Sequence, residues 1–281
     1  MVEIFKNRKL VIATKHEKEK AIAPVFAKEL GLECFVPNDF DTDILGTFSG
    51  EIERKSDPVT TVRQKCLMAM EKYNSDLGIA SEGSFGAHPT VYFATADDEI
   101  LIFIDKKNNL EIIVREISTS TNFNGKTINN ERDLLEFASK VNFPTHGLIL
   151  SKSREAKDDI AKGIIDFDAL LKTYHHLFKQ YGTVYAETDM RAMYNPMRMA
   201  VIALAAKKLV EKIKSCCPSC KTPGFDVTDY REGLDCALCS MPTRSVKSLI
   251  YSCLKCNYSK EELYPNNKTS EDPMFCDFCN P

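Results

Sequence analysis

Apolar residues in this chain come in short runs separated by charged stretches, and the runs change period along the sequence. Lys9-Leu-Val-Ile-Ala-Thr14 is a continuous apolar run and predicts a buried strand. A charged stretch follows, then a helix ending near Leu30-Gly31, where glycine suits the residue after a helix. Pro24 must lie in that helix's first turn or kink it. Leu32–Val36 predicts a short second strand. Asp57–Tyr73 predicts a helix: Asp57 can cap it, Pro58 fits the first position, and Val59, Val62, Cys66 and Met70 share an apolar face. Strands are expected at Leu77–Ala80, Val91–Ala94, Glu99–Asp105 and Leu110–Ile117, the last two joined as an antiparallel hairpin by Lys-Lys-Asn-Asn. Beyond lie a helix near Glu131–Val141, a strand Gly147–Ser151, a helix Phe167–Tyr181, a strand Thr183–Glu187 and a long helix Met197–Lys214. Strands alternating with helices, plus one hairpin, predict a mixed-sheet α/β domain over residues 1–210.

Composition narrows the class. With 281 residues, 43% hydrophobic and 27% charged, the chain is long enough for a substantial core. A net charge of −3 and a pI near 6.0 offer no general attraction to nucleic acid or anionic lipid. No run reaches the roughly 18 apolar residues of a membrane span, and the first residues lack a secretory pattern. The expectation is a cytoplasmic protein with reduced thiols.

Cysteine changes the picture. Of 11 cysteines, nine fall between Cys216 and Cys279, and eight form four CxxC pairs: Cys217/Cys220, Cys236/Cys239, Cys253/Cys256 and Cys276/Cys279. Two thiolates three apart on a tight turn can present both sulfurs to one tetrahedral ion, and two pairs complete a four-cysteine site. The pattern predicts two structural zinc ions in a small double zinc-ribbon domain, residues 215–281, with Pro218, Gly224, Pro242 and Asn257 at or near the turns. Spacing leaves the pairing open: first with second, second with third, and interleaved arrangements all remain. Four-cysteine shells leave no open position for chemistry. The segment holds seven Lys/Arg against nine Asp/Glu, and each all-thiolate centre adds about two negative charges. That sign argues against nucleic acid and for a metal-stapled cap or a protein-contact module. Cys216 reads as a spare thiol, Cys34 and Cys66 as small buried hydrophobes.

Three segments of the α/β domain could converge on a phosphate. Thr14-Lys15-His-Glu-Lys18 follows the first strand and opens a helix, where backbone amides favour an anion. Thr60, Thr61, Arg63 and Lys65 lie in the early turns of the next helix, with Thr61 and Lys65 on one flank. Ser81-Glu82-Gly83-Ser84-Phe-Gly-Ala-His88 is expected as a loop leaving a buried strand, with glycines that permit close approach and Glu82 as a carboxylate for a metal or a water.

KLVIATKHEKEKAIAPVF resembles the opening strand, threonine-bearing loop and helix of the inosine triphosphate pyrophosphatase-like superfamily, and SDPVTTVRQKCLMAMEKYNSDLGIASEGSFG is similar to its later helix, strand and acidic-glycine loop. The likeness covers roughly residues 9–86. It implies that Thr14 and Lys15 meet phosphates, that Lys65 is the helix's basic residue, and that Glu82 sits at magnesium or the attacking water. The chain departs from that pattern at His16, Glu17 and Pro24, and lacks a second acidic residue beside Glu82. As a whole, with its terminal CDFCNP, it also resembles an uncharacterised bacterial family bearing this zinc tail.

A second polar cluster, Glu187, Asp189, Arg191, Asn195 and Arg198, runs from a strand end into the last long helix, with Asn195 as cap and Pro196 at the first position. Arginine in a first helical turn opposes the dipole, so Arg198 is expected to have an acidic partner or a bound anion. Glu187 and Asp189 could share a cation; an Asp–Arg brace is the plainer reading. His88 and Tyr174-His175-His176 read as surface or packed residues rather than ligands. The leading expectation is a magnesium-dependent hydrolase of a nucleoside triphosphate or related phosphorylated nucleotide. The alternative is a non-catalytic module binding a nucleotide, RNA or a protein on the same fold.

Overall fold

In the computed structural model, residues 2–37, 39–40 and 57–281 are described. They divide into two compact units, 1–210 and 211–281. Among the described residues, no helix is long and apolar enough to cross a membrane.

The first unit is built on a mixed five-stranded sheet in the order β2-β1-β3-β4-β5. Its strands are β1 (Lys9–Ala13), β2 (Glu33–Phe35), β3 (Leu77–Ala87), β4 (Thr95–Asp105) and β5 (Leu110–Ser118). β1 lies parallel to both β2 and β3, while β3, β4 and β5 form an antiparallel meander. Helix α1 (Glu19–Leu30) carries Pro24 inside it and ends on left-handed Gly31. Helix α2 (Pro58–Lys72) begins as the sequence dictates, with the Asp57 carboxylate accepting from the amides of Val59 and Thr60 at 3.0 Å.

The two helices cover opposite faces. Val62, Cys66, Ala69 and Met70 of α2 pack on Val11, Ala13, Ala80, Ile100, Ile102 and Ile104. Phe26 of α1 stacks on Phe103, which the pleat turns the other way, with ring centroids 6.1 Å apart.

A second, antiparallel sheet has the order β6-β9-β7-β8, from β6 (Gly125–Ile128), β7 (Leu148–Ser151), β8 (Ile160–Ile164) and β9 (Val184–Thr188). Helices α3 (Glu131–Lys140) and α4 (Phe167–Tyr181) pack on it through Leu134, Phe137, Leu170, Tyr174 and Leu177. Helix α5 (Pro196–Lys214) follows, capped by Asn195, whose Oδ1 accepts from the Arg198 amide at 3.0 Å.

Three expectations need correction. Ser81–Ala87 is strand, not loop: β3 pairs with β4 without interruption from Leu77↔Asp105 to Ala87↔Thr95. Val91–Ala94 is not a strand but part of the turn joining β3 to β4, where His88 Nδ1 accepts from the amides of Thr90 and Val91. Strands β6 and β8 were not expected, because each is short and only partly apolar.

The second unit holds a three-stranded antiparallel meander, β10 (Asp226–Glu232), β11 (Val246–Ser252) and β12 (Ser259–Leu263). Phe225 packs there against Cys217, Cys253 and Tyr251.

Candidate functional site

β3 pairs with β1 only as far as Ala80 and then runs seven residues further, bonded to β4 alone. Beside this extension, three cations arrive from three helices. Lys18, at the N-terminal cap of α1, places Nζ 3.1 Å from Ser81 Oγ and 3.7 Å from Glu99 Oε2. Lys65, from α2, places Nζ 2.5 Å from Glu82 Oε2 and 3.5 Å from the Ser81 carbonyl. Arg198, from the first turn of α5, donates from Nε to Glu99 Oε1 at 2.7 Å and from Nη1 to the Met190 carbonyl. Its guanidinium lies 4.9 Å over the Phe85 ring, which itself stands 5.7 Å from Phe123. Thr14, Lys18, Thr61, Lys65, Ser81, Glu82, Asp97, Glu99 and Arg198 are all buried.

The ladder decides which carboxyls meet which cations. Gly83 stands opposite Glu99 and Phe85 opposite Asp97, so these four share one side of the β3–β4 ribbon. Glu82 and Asp98 take the other side, where Glu82 meets Lys65 of α2 and Asp98 meets Arg115. Gly83 is required by crowding: a Cβ there would lie 2.3 Å from both Arg198 Nη2 and Glu99 Oε1.

Burial dominates the electrostatics. It pushes the Asp97 carboxyl up to about 8, with Glu99 adding to the shift while Arg198 and Lys18 oppose it. Burial also presses on Glu99, but Arg198 and Lys18 overcome it and hold that carboxyl below its usual range. The Lys18 ammonium is lowered to about 8 by burial, against the attraction of Glu99.

Several expected residues do gather here: Lys65 with Glu82, and Lys18 and Gly83 nearby. Thr14 and Thr61 are buried as well. Lys15 is exposed, and Lys18 is the lysine of that segment that reaches Glu99. Arg63 does not join the others: it forks onto Glu111 at 2.6–3.0 Å on the surface. Ser84 is half-buried on the far side of Gly83. Asp97, Glu99 and Ser81 were not among the expected site residues. A signal existed for the acids, since two carboxyls at i and i+2 just ahead of an apolar run share one strand face.

The second polar cluster divides. Arg198 has its acidic partner, Glu99, in the first cluster. Asp189 forms a local brace, accepting from Arg191 Nε and Nη2 at 3.0 and 2.6 Å and from the Gly163 amide at 3.0 Å. Those bonds engage the oxygens that a cation shared with Glu187 would need. Asn195 caps α5 and donates to Asn122 Oδ1 at 2.8 Å. Burial raises the Glu187 carboxyl, and Asp189 adds to that. His175 meets Glu131 at the surface, 3.1 Å away.

In the second unit the eight cysteines form two groups: Cys217, Cys220, Cys253 and Cys256, and Cys236, Cys239, Cys276 and Cys279. The pairing is therefore interleaved, first with third and second with fourth. Sulfur separations are 3.6 Å (Cys217–Cys256), 3.5 Å (Cys220–Cys253), 3.8 Å (Cys236–Cys279) and 3.6 Å (Cys239–Cys276). A tetrahedron with metal–sulfur arms of about 2.3 Å has edges of about 3.8 Å, so the sulfurs fit one ion per group. Residues after the knuckles take left-handed conformations at Lys221, Ser240 and Asn257. The amides of Leu238 and Lys255 donate to the Cys236 and Cys253 sulfurs at 3.4 Å, as outer-shell bonds to thiolate ligands do. Cys216 lies outside both groups.

Residues 65–281 match the model of a family described as a domain of unknown function, DUF6671. The matched span holds Lys65, Glu82, Asp97, Glu99, Arg198 and all eight grouped cysteines, and begins beyond Lys18. No curated protein matches the chain.

Proposed function

This chain belongs to the DUF6671 family, and from that premise we propose that its α/β unit is a metal-dependent hydrolase of a nucleoside triphosphate or related phosphorylated nucleotide, while its C-terminal cysteines hold two structural zinc ions. The observation that carries the reading is that Lys18, Lys65 and Arg198 reach three consecutive residues of β3, Ser81, Glu82 and Gly83, where β3 runs on past β1. The resemblance of residues 9–86 to the inosine triphosphate pyrophosphatase-like superfamily supports it as well.

In this reading Lys18, Lys65 and Arg198 bind and orient phosphate oxygens, working by position and charge rather than by covalent chemistry. Glu82 orients a water. The water oxygen attacks the α-phosphorus, its proton passes to Glu82, and the α–β bridging oxygen leaves with pyrophosphate. Magnesium, when bound, supplies neutralising charge at the leaving group. Lys18, Lys65 and Arg198 balance Glu82, Asp97 and Glu99 in formal charge, so a dication leaves a positive surplus that suits a triphosphate.

The Lys65–Glu82 pair also supports a second reading, a module that binds nucleotide without turnover, because Lys65 Nζ at 2.5 Å already engages Glu82 Oε2, one of the two oxygens that would take a proton from water. In the ribbon unit, Leu238, Leu254 and Phe278 stand exposed inside three of the CxxC turns, which favours a protein partner over nucleic acid.

The test is a nucleotide panel with magnesium and zinc-replete protein. Pyrophosphate release from one member, abolished by Glu82→Gln, upholds the hydrolase. A silent panel in which nucleotides still raise the melting temperature transfers the conclusion to the binding module.

A further inference from the structure

Asp97 and Glu99 stand two apart on β4, turned by the pleat to the same side. Asp97 has no exposed surface, and neither of its carboxyl oxygens has a hydrogen-bond partner. Glu99 is equally buried; its Oε2 also has no hydrogen bond, with Lys18 Nζ at 3.7 Å. Three buried carboxyl oxygens thus lack donors, whereas buried polar groups are almost always satisfied. The rest of the surroundings is fixed. Arg198 holds Glu99 Oε1 at 2.7 Å, and Gly83 leaves the space that both side chains fill.

We propose that Asp97 and Glu99 form a binding site for a hard divalent cation, magnesium or manganese, that takes the Asp97 carboxylate and Glu99 Oε2 with water completing its shell. The three unpartnered atoms are carboxyl oxygens, hard donors that select against soft metals. Two carboxylates with retained waters is how magnesium is usually held, and the water positions are where phosphate oxygens would enter; calcium wants six to eight oxygens. Glu82 is not a ligand. It lies on the other side of the β3–β4 ribbon and is engaged by Lys65. The inference deepens the hydrolase reading by naming the residues that hold its metal, and for that role it rests on that reading; binding of the ion itself needs no nucleotide.

The experiment titrates Mn2+ into the zinc-loaded full chain without nucleotide, reading free Mn2+ by electron paramagnetic resonance. A single Mn2+ bound per chain and displaced by Mg2+ is expected. Asp97→Asn and Glu99→Gln should each weaken binding by about tenfold or more, while Glu82→Gln retains it. Mg2+ should raise the melting temperature of the wild type and not of Asp97→Asn. No Mn2+ binding by the wild type, or unchanged binding in both variants, overturns the site. Should one variant fail to melt cooperatively with its zinc retained, the other together with the Mg2+ competition decides. Mn2+ binding with a silent nucleotide panel upholds the site and removes the hydrolase. Turnover in the panel without Mn2+ binding removes the site alone.

Discussion

Arg198 and Glu99 are ninety-nine residues apart in sequence and meet at 2.7 Å with both side chains buried. The contact joins the first turn of α5 to the centre of β4. Breaking a buried pair by removing one partner leaves an uncompensated charge and costs about 3–5 kcal/mol. Arg198→Met is expected to destabilise the protein by that order in urea denaturation without added magnesium. Pairing it with Glu99→Gln should cost less than the two single changes added together, because the second change removes the stranded charge. Additive effects would mean that the two side chains do not depend on each other.

Glycine substitutions on β3 separate crowding from strand propensity. Gly83→Ala would place a methyl 2.3 Å from Arg198 Nη2 and Glu99 Oε1, whereas a Cβ at Gly86 meets nothing within 4 Å. Gly83→Ala should lower stability by about 1–3 kcal/mol. Gly86→Ala should be neutral or stabilising by a few tenths to about 1 kcal/mol. Comparing the two melting curves checks the difference. Equal effects would show that the space at Gly83 is not held by these side chains.

How much of this was legible beforehand depends on range. The α2 start is local chemistry, Asp57 then Pro58, and the sequence predicts it to within a residue. The hairpin turn at 106–109 is local too. The extension of β3 is not local. Two glycines and Ser84 read as a loop, and only the ladder to Thr95–Asp105 makes them strand. The same error hid Asp97, since the predicted partner strand begins at Glu99 and β4 begins at Thr95. Lys15 and Lys18 could not be ranked without knowing that left-handed His16 and Glu17 turn the chain between them.

A buried carboxyl with a half-buried partner should govern acid sensitivity. Asp105 has no exposed side chain; it accepts from Arg8 Nη1 and Nη2 at 2.7 and 2.8 Å and from Asn108 Nδ2 at 2.6 Å. Burial acts to raise its pKa, but the Arg8 and Asn108 hydrogen bonds outweigh that and hold it below the usual 3.8. A carboxyl depressed in the folded state contributes stability that is complete above its unfolded pKa and is lost as pH falls through the folded one. This share of stability should therefore disappear below pH 3.8. Asp105→Asn should be less stable than wild type at neutral pH, and the gap should narrow as the pH drops through that window. A gap that stays constant with pH would show that the charge of Asp105 contributes nothing.

The interleaved cysteine pairing follows from the meander, and metal content can test it. In an up-down-up sheet, the segment before the first strand and the turn after the second lie at one end. Asp226, Ser252 and Ser259 adjoin in the ladder there, flanked by Cys217/Cys220 and Cys253/Cys256. The turn after the first strand and the segment after the third lie at the other end, with Cys236/Cys239 and Cys276/Cys279. Wild type should carry two zinc ions per chain by elemental analysis, one for each four-cysteine group. Cys217→Ser combined with Cys253→Ser strikes one centre twice and should leave one ion. Cys217→Ser combined with Cys236→Ser strikes both centres and should leave none, with loss of folded structure in residues 211–281, because metal and fold are linked in such units. Sequential pairing predicts instead that the second double variant keeps one ion. Nested pairing predicts that the first double variant keeps none.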